Sequence, residues 1–205
     1  MQTKEIRKLY NKTASSFNRR EWIMELLVLR NYRKKLVVQA KGKVLEIAIG
    51  TGRTLPYFPR GYEIIGVDLS EKMLELARGF ALKLGLSVTL ITMDAENLAF
   101  KDGAFDSVLC TLSLCTVPNP IQALSEMKRV CKPEGTILLL EHVRSHNQIL
   151  GKIQDLLTPL MVRKIGCHLN RDTLGNVKKA GLHIDYLENH LAETIEIIRA
   201  TYSKH

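Results

Sequence analysis

Five short, nearly continuous apolar runs constrain this chain more than any other feature. They are Val44-Leu45-Glu46-Ile47-Ala48-Ile49, Glu63-Ile64-Ile65-Gly66-Val67, Val88-Thr89-Leu90-Ile91, Asp106-Ser107-Val108-Leu109-Cys110 and Thr136-Ile137-Leu138-Leu139-Leu140. Runs that do not alternate with polar residues belong to strands covered on both faces, the signature of a parallel sheet between helical layers. Between the runs lie helices with readable ends. Ser70 is an N-cap for a helix whose inward face is Met73, Ala77, Ala81 and Leu84, stopped by Gly85. Asn119-Pro120 starts another, with Ile121, Leu124, Met127 and Cys131 on one face and Lys132-Pro133-Glu134-Gly135 as the turn that ends it. Strands and helices in regular succession predict an α/β fold with a mainly parallel, doubly wound sheet.

Two regions depart from the alternation. Residues 3–40 read as helical, with Trp22, Ile23, Leu26 and Leu27 on one side and the basic cluster Arg30, Arg33, Lys34 and Lys35 following. Near the other end a helix from Arg171 to Ala180 closes at Gly181, and Leu182–Leu187 and Thr194–Tyr202 alternate like antiparallel strands. With 205 residues the chain makes one domain, a helical extension over 1–40 and a core over 41–205. No apolar stretch reaches the length of a membrane span, and the first residues lack the pattern of a secretory signal. The expected location is cytoplasmic.

Lys and Arg outnumber Asp and Glu by 30 to 21, for a net charge of +9. That balance favours anionic partners without choosing among nucleic acid, acidic lipid and small anions. Cys110, Cys115, Cys131 and Cys167 show no metal-ligand spacing, so neither a metal nor a disulfide is expected.

The candidate site begins where the first run enters a Gly-rich turn, Gly50-Thr51-Gly52-Arg53. In a doubly wound sheet this lies at the carboxyl ends of the strands, where ligands bind. The second run ends at Asp68, placed to accept hydrogen bonds from both hydroxyls of a ribose, and the third ends in Asp94-Ala95-Glu96. A nicotinamide dinucleotide competes for this pattern, but it wants a third glycine facing the pyrophosphate, and Arg53, Thr54 and Leu55 follow Gly52 instead. Glu46 suits a ligand carrying a cationic amine. The ligand implied is a nucleoside with a charged amino-acid tail.

With these residues in place the chain resembles the class I S-adenosylmethionine-dependent methyltransferases over nearly its whole length. The first motif of that family is matched by Glu46-Ile47-Ala48-Ile49-Gly50-Thr51-Gly52, the second by Asp68, and the adenine-binding acid by Asp94 beside Ala95. Phe105-Asp106-Ser107-Val108 matches the fourth strand, Leu112-Ser113 the methionine end, and Lys132-Pro133-Glu134-Gly135 the turn before the fifth strand. The resemblance implies a Rossmann-like seven-stranded sheet with an antiparallel last strand. It further implies S-adenosylmethionine as cofactor, S-adenosylhomocysteine as product, and no metal. The implied cofactor site comprises Tyr10, Glu46, Ala48, Gly50, Thr51, Gly52, Asp68, Leu69, Met73, Asp94, Ala95, Glu96, Thr111 and Leu112. Ala48 stands where the family has its first glycine, and an ordinary β-like conformation is expected there, with Gly50 and Gly52 making the turn.

A narrower resemblance concerns the methyl acceptor. Residues 108–117, Leu140-Glu141-His142-Val143 and Gly166-Cys167-His168-Leu169-Asn170-Arg171-Asp172-Thr173 are similar to microsomal alkyl thiol methyltransferases. They are also similar to bacterial phospholipid headgroup methyltransferases and, more loosely, to quinone C-methyltransferases. His142 is the candidate general base, with Glu141 and Tyr10 as further catalytic candidates; a strand-end histidine with a structural bond is the alternative. Arg171 is a candidate for an anionic acceptor or a helix-capping charge, His168 lies beside it, and Cys115 either packs or faces the pocket. Tyr10 and Phe17 match an aromatic lid over the cofactor, which excludes water and faces the sulfonium. The apolar and basic stretch from Arg19 to Lys35 either lies on an anionic membrane or packs on the domain.

The leading function is therefore methyl transfer to a small molecule or phospholipid, at a thiol sulfur or headgroup amine, with peripheral contact at the inner face of the membrane where the acceptor is a lipid. Quinone C-methylation and RNA methylation are the alternatives, with a cofactor-sensing module as the non-enzyme reading. Nucleic acid is not expected as a partner, since Val117-Pro118-Asn119-Pro120 lacks the aromatic of base-methylating relatives and no basic patch is interleaved with aromatics.

Overall fold

The computed structural model describes residues 1–202. Helix α1 (Thr3–Met24) runs through a π-helical turn (Glu25–Leu29) into α2 (Arg30–Val37). There follow β1 (Lys43–Ile47), a 3-10 turn (Leu55–Tyr57), β2 (Glu63–Asp68), α3 (Glu71–Leu84), β3 (Val88–Thr92), β4 (Phe105–Thr111), α4 (Pro120–Val130) and β5 (Cys131–His142). The chain then forms α5 (Gln148–Ile165), α6 (Thr173–Lys179), β6 (Leu182–His190) and β7 (Ile195–Tyr202).

The strands make one seven-stranded sheet in the order β3-β2-β1-β4-β5-β7-β6. Strands β1 to β5 pair in parallel, and β7 is antiparallel to both β5 and β6. The order reverses at β1, so the carboxyl ends of β1 and β4 flank the crevice where such sheets bind ligands. Alternate residues of one strand reach two different cores. Ile137 and Leu139 of β5 join Leu45, Ile47, Val108 and Met127 on one face. Leu138 and Leu140 join Val44, Leu109, Leu36 and Val37 on the other. Each such side chain contributes about 1.5–3 kcal/mol on burial, which is why the runs carry apolar residues toward both faces.

Helix ends follow the residues that dictate them. Ser70 Oγ accepts from the Met73 amide, and Gly85 closes α3 in the left-handed conformation. Asn119 caps α4 with Pro120 at the first position. The face read from the sequence holds, with Met73, Ala77 and Ala81 buried and Leu84 partly so. Lys132–Gly135, expected as a turn before the fifth strand, lies within β5, and the ladder shifts register there between Phe105 and Ser107.

Two departures bear on the site. Trp22, Ile23, Leu26 and Leu27 point outward, and Leu27 is 72% exposed. The inward side of α1 carries Ile6 and Ala14. After the extra residue of the π turn the inward side carries Leu29, Arg33, Leu36 and Val37. The second is α5, for which the sequence reading placed no element. Its signals are nevertheless ordinary: Asn147 caps it with two bonds, and Gly166 ends it in the left-handed conformation.

Candidate active site

The crevice at the carboxyl ends of β1, β2 and β4 is a cavity of about 710 Å³ roofed by α1 and walled on one side by α5. Its floor starts at the turn after β1. Ile49 N–H donates to Val67 O at 3.0 Å, so the chain reverses within two residues of the strand end. That reversal puts Ala48 at φ 51°, with Gly50 at 58° and Gly52 at 80°. The β-like conformation expected for Ala48 is thus corrected to a left-handed one. A non-glycine residue there costs roughly 1–2 kcal/mol, which the surrounding core sustains. At Gly52 the limit is also one of space, because a Cβ would meet Leu55 Cδ1 at 2.7 Å. Ala48→Gly is accordingly expected to stabilise the protein by about 1 kcal/mol. Chemical unfolding measures this, and an unchanged midpoint would show that no strain is stored there.

Asp68 sits at the end of β2 with both oxygens engaged. Oδ2 accepts from Gly50 N–H and Oδ1 from Ser70 N–H, each at 2.8 Å. Burial raises its pKa to about 6 even against those two donors, yet each oxygen keeps a second lone pair for a ligand hydroxyl. Leu69, Met73, Asp94 and Ala95 continue the same wall, with Gly50, Thr51, Thr111 and Leu112 opposite. Asp94 Oδ1 accepts from Glu96 N–H at 3.0 Å.

Four of the residues expected at the site do not line the cavity. Gly52 is turned into the packing against Leu55. Glu96 points to α4, where it accepts from Asn119 N–H at 2.8 Å. Glu46 lies behind the turn and accepts from Thr54 Oγ at 2.6 Å; burial carries its pKa to about 7, opposed by Thr54 and the Arg33 charge. Glu141 is fully buried and accepts from the Ser113 and Leu114 amides at 3.0 and 3.1 Å. It fixes the turn after β4, in which Leu112 is left-handed at φ 54°. Glu141 holds a backbone turn and Glu46 the Thr54 hydroxyl, because their strands are central and their side chains point into the sheet's covered faces.

The sequence reading treated Arg33 only as one of a basic cluster. It is buried, donates from Nη1 to Thr111 Oγ at 2.6 Å and from Nε to Glu25 at 3.1 Å, and lines the cavity. Arg53 Nη1 lies 3.6 Å from the same Glu25 carboxylate. Two guanidinium groups thus share one ion-paired carboxylate beside the Gly-rich turn.

Helix α1 is strapped across this end. Ser70 Oγ donates to Asn11 Oδ1 at 2.6 Å, Thr51 Oγ donates to Asn18 Oδ1 at 2.8 Å, and Arg7 pairs with Glu71. Tyr10 and Phe17 face the cavity with ring centroids 6.3 Å apart. The Tyr10 hydroxyl donates to Ile165 O at 3.4 Å, and burial raises its pKa.

The far end of the cavity holds His142, Cys115 and Cys167. His142 Nε2 lies 2.9 Å from Cys167 Sγ. The Cys115 thiol, and then His142, draw the Cys167 pKa well down against burial. Burial alone would lower His142, but the bond and charge of Cys167 outweigh it and raise its pKa. Cys115 therefore faces the pocket, whereas Arg171 does not. Arg171 donates to Cys115 O and Val117 O at 3.2 and 3.0 Å, and His168 N–H donates to Cys115 O at 2.9 Å. Their role is to tie the segment after α5 to the turn after β4.

Comparison with known proteins points to a family. Residues 45–139 match the methyltransferase domain family. Phosphatidylethanolamine N-methyltransferase of Cereibacter sphaeroides is 35% identical over 118 residues, 57% of this chain and 58% of that enzyme. A ubiquinone/menaquinone biosynthesis C-methyltransferase of Bdellovibrio bacteriovorus is 29% identical over 168 residues, 78% of this chain and 72% of that one. The chain superposes on a crystal structure of an S-adenosylmethionine-dependent methyltransferase from Thermotoga maritima with a TM-score of 0.70 at 25% identity, covering 96% of this chain and 99% of that one.

These matches support a class I S-adenosylmethionine-dependent methyltransferase. The seven-stranded sheet with its antiparallel β7 is the arrangement the resemblance implied. The cavity of this methyltransferase fits the cofactor by the chemistry of its donors. Asp68 and Asp94 offer carboxylate oxygens for hydroxyl and amine donors, and Arg33 with Arg53 leaves positive charge for a carboxylate.

Proposed function

We propose that this methyltransferase methylates a lipophilic acceptor drawn from an apolar phase, at a thiol sulfur or a headgroup amine. The observation that carries this reading is the inverted amphipathicity of α5. Ile149, Ile153, Leu156, Leu157 and Leu160 fall at helical spacing on one stripe, and that stripe faces outward, with Ile149 72% and Leu156 79% exposed. The opposite face contributes Gln154, Met161 and Ile165 to the cavity. The exposed residues Trp22, Ile23, Leu26 and Leu27 lie on the other helical segment that walls it. A soluble surface rarely carries so much contiguous apolar area without a partner. Exposed Arg19, Arg20, Arg30, Lys152, Arg163 and Lys164 on the same elements suit an anionic lipid surface. Among the described residues no helix is long and apolar enough to cross a membrane, so the contact proposed is peripheral.

Bound S-adenosylmethionine supplies a methyl group already activated on a sulfonium. The protein's part is to hold, align and deprotonate the acceptor. Asp68 takes the ribose hydroxyls, Asp94 and the Ala95 amide the adenine, and Arg33 or Arg53 the methionine carboxylate. Tyr10 and Phe17 exclude water above the reacting centre. His142, paired to Cys167, is where the acceptor's proton is handled. His142→Ala is expected to lower turnover about a hundredfold with cofactor affinity within twofold, as measured by kinetics and calorimetry. Turnover at the wild-type level across pH would remove His142 from the reaction.

The test of function is labelled methyl transfer to three acceptors side by side, with products identified by mass. These are a long-chain alkyl thiol, phosphatidylethanolamine in anionic vesicles, and glutathione as a water-soluble thiol. Label in either of the first two and not in glutathione is expected. Preferential labelling of glutathione would overturn the lipophilic reading.

A further inference from the structure

Cys115, His142 and Cys167 come from three separate segments, the turn after β4, the end of β5, and the residue following Gly166 beyond α5. Their two sulfurs and one ring nitrogen all lie within 4.8 Å of one another. All three side chains line the cavity. We propose that they bind a thiophilic divalent cation, zinc by ligand type, with a fourth coordination position open to the cavity where an acceptor thiol binds as its thiolate.

The donor set makes the choice of ion. Two thiolates and an imidazole are soft ligands that suit zinc, while magnesium and calcium want oxygen. Three protein ligands with one vacant place is the arrangement of zinc sites that act on a substrate, as opposed to closed structural ones. Tetrahedral zinc with bonds of about 2.3 Å to sulfur and about 2.0–2.1 Å to nitrogen sets nitrogen and sulfur about 3.5 Å apart and the two sulfurs about 3.8 Å apart. His142 Nε2 and Cys167 Sγ, at 2.9 Å, must therefore part slightly, and no other pair, all within 4.8 Å, has to close by more than about 1 Å, changes within reach of side-chain rotation.

The scaffold also fits. His168 N–H and Arg171 Nη2 both donate to Cys115 O, which fixes the Cys167 segment against the Cys115 turn. Glu141 holds the two amides just before Cys115. The other two cysteines serve as a contrast, since Cys110 and Cys131 are buried in the apolar core and do not line the cavity. With the metal bound, His142 is its ligand and no longer the base: the acceptor thiol releases its proton to solvent and its sulfur lone pair fills the vacant position, which keeps the sulfur nucleophilic at neutral pH. The substrate half of this proposal rests on the cavity being the methyl-transfer site, and the metal half does not.

The test uses the full chain, reduced and stripped with a chelator, then titrated with Co²⁺ and Zn²⁺. One equivalent of tight binding is expected, with sulfur-to-cobalt charge-transfer absorption that strengthens when an alkyl thiol is added. Cys115→Ser with Cys167→Ser, and separately His142→Gln, should weaken metal affinity on the order of a hundredfold or more. Cys131→Ser should bind as the wild type does. Cofactor affinity by calorimetry verifies that each variant is folded. Absence of the charge-transfer band in folded wild type, or equal binding by the double variant, would overturn the metal site. A band that does not respond to thiol would overturn the substrate half. Metal and thiol signatures without methyl transfer to any acceptor would support the site and sink the function proposed above.

Discussion

Asp68→Ala is expected to weaken S-adenosylmethionine binding by more than about a hundredfold, because hydrogen bonds to a charged group are worth about 1.5–3 kcal/mol each and two ribose hydroxyls lose theirs. Asp68→Asn should fall between, since it keeps one acceptor oxygen. Isothermal calorimetry reads both, and unchanged affinity would displace the nucleoside from the end of β2. The same carboxylate predicts a pH dependence. Burial raises the Asp68 pKa from 3.8 to about 6 in the cofactor-free protein. Ribose hydroxyls donate to the ionised form, so bound cofactor lowers that pKa, and affinity is full above pH 6. Below pH 6 affinity should fall about tenfold per unit until the pKa of the complex is reached.

Stability of the free protein runs the other way. A carboxylate whose folded pKa is raised keeps a proton that the unfolded chain releases. Between pH 4 and pH 6 the cofactor-free protein therefore loses stability as pH rises, and above pH 6 this contribution is constant. The rise in unfolding temperature on adding cofactor should be largest above pH 6 and shrink below it. A cofactor effect independent of pH would mean that the Asp68 carboxylate is not at the ligand.

Leu156→Glu combined with Leu160→Glu is expected to abolish binding to anionic vesicles while leaving the fold intact. Both residues are exposed, at 79% and 48%, so neither change opens a cavity, and the effect on stability should stay within about 0.5 kcal/mol per site. Each leucine lost from an apolar phase removes roughly 1.5–3 kcal/mol, and each glutamate adds repulsion from acidic lipid. The combined loss in vesicle affinity is on the order of a hundredfold or more. Co-sedimentation with vesicles of phosphatidylglycerol and phosphatidylethanolamine measures it. Wild-type partitioning by the double variant would detach α5 from the membrane reading and leave the stripe to a protein partner.

How much of this was legible in the chain differs from element to element. The five apolar runs, Ser70 and Gly85 around α3, and Asn119-Pro120 before α4 encode local geometry, and each element formed where its residues dictate. Asp68 and Asp94 were legible for the same reason, since a strand that ends in an acid at the carboxyl edge puts that acid at the crevice. Helix α5 was equally legible from Asn147, Gly166 and the spacing of Ile149, Ile153, Leu156 and Leu160, but an apolar stripe does not say whether it faces core or lipid.

What spacing along the chain cannot express is which elements meet and which way a central strand turns its side chains. Glu46 and Glu141 look like site acids in sequence, yet both are buried, Glu46 on the Thr54 hydroxyl and Glu141 on the turn after β4, because β1 and β5 are covered on both faces. Ala48 stands where glycine is expected and is left-handed because Ile49 must reach Val67 across the sheet. Cys115, His142 and Cys167 have no common motif, and only the crossover from β4 to β5 and the return of the chain after α5 bring them together. The sequence alone determined the sheet, its helices and the acids at its edge, through local periodicity and end signals. The tertiary structure decided the roof, the outward stripe and the sulfur–imidazole cluster, because contacts between distant segments depend on topology and packing.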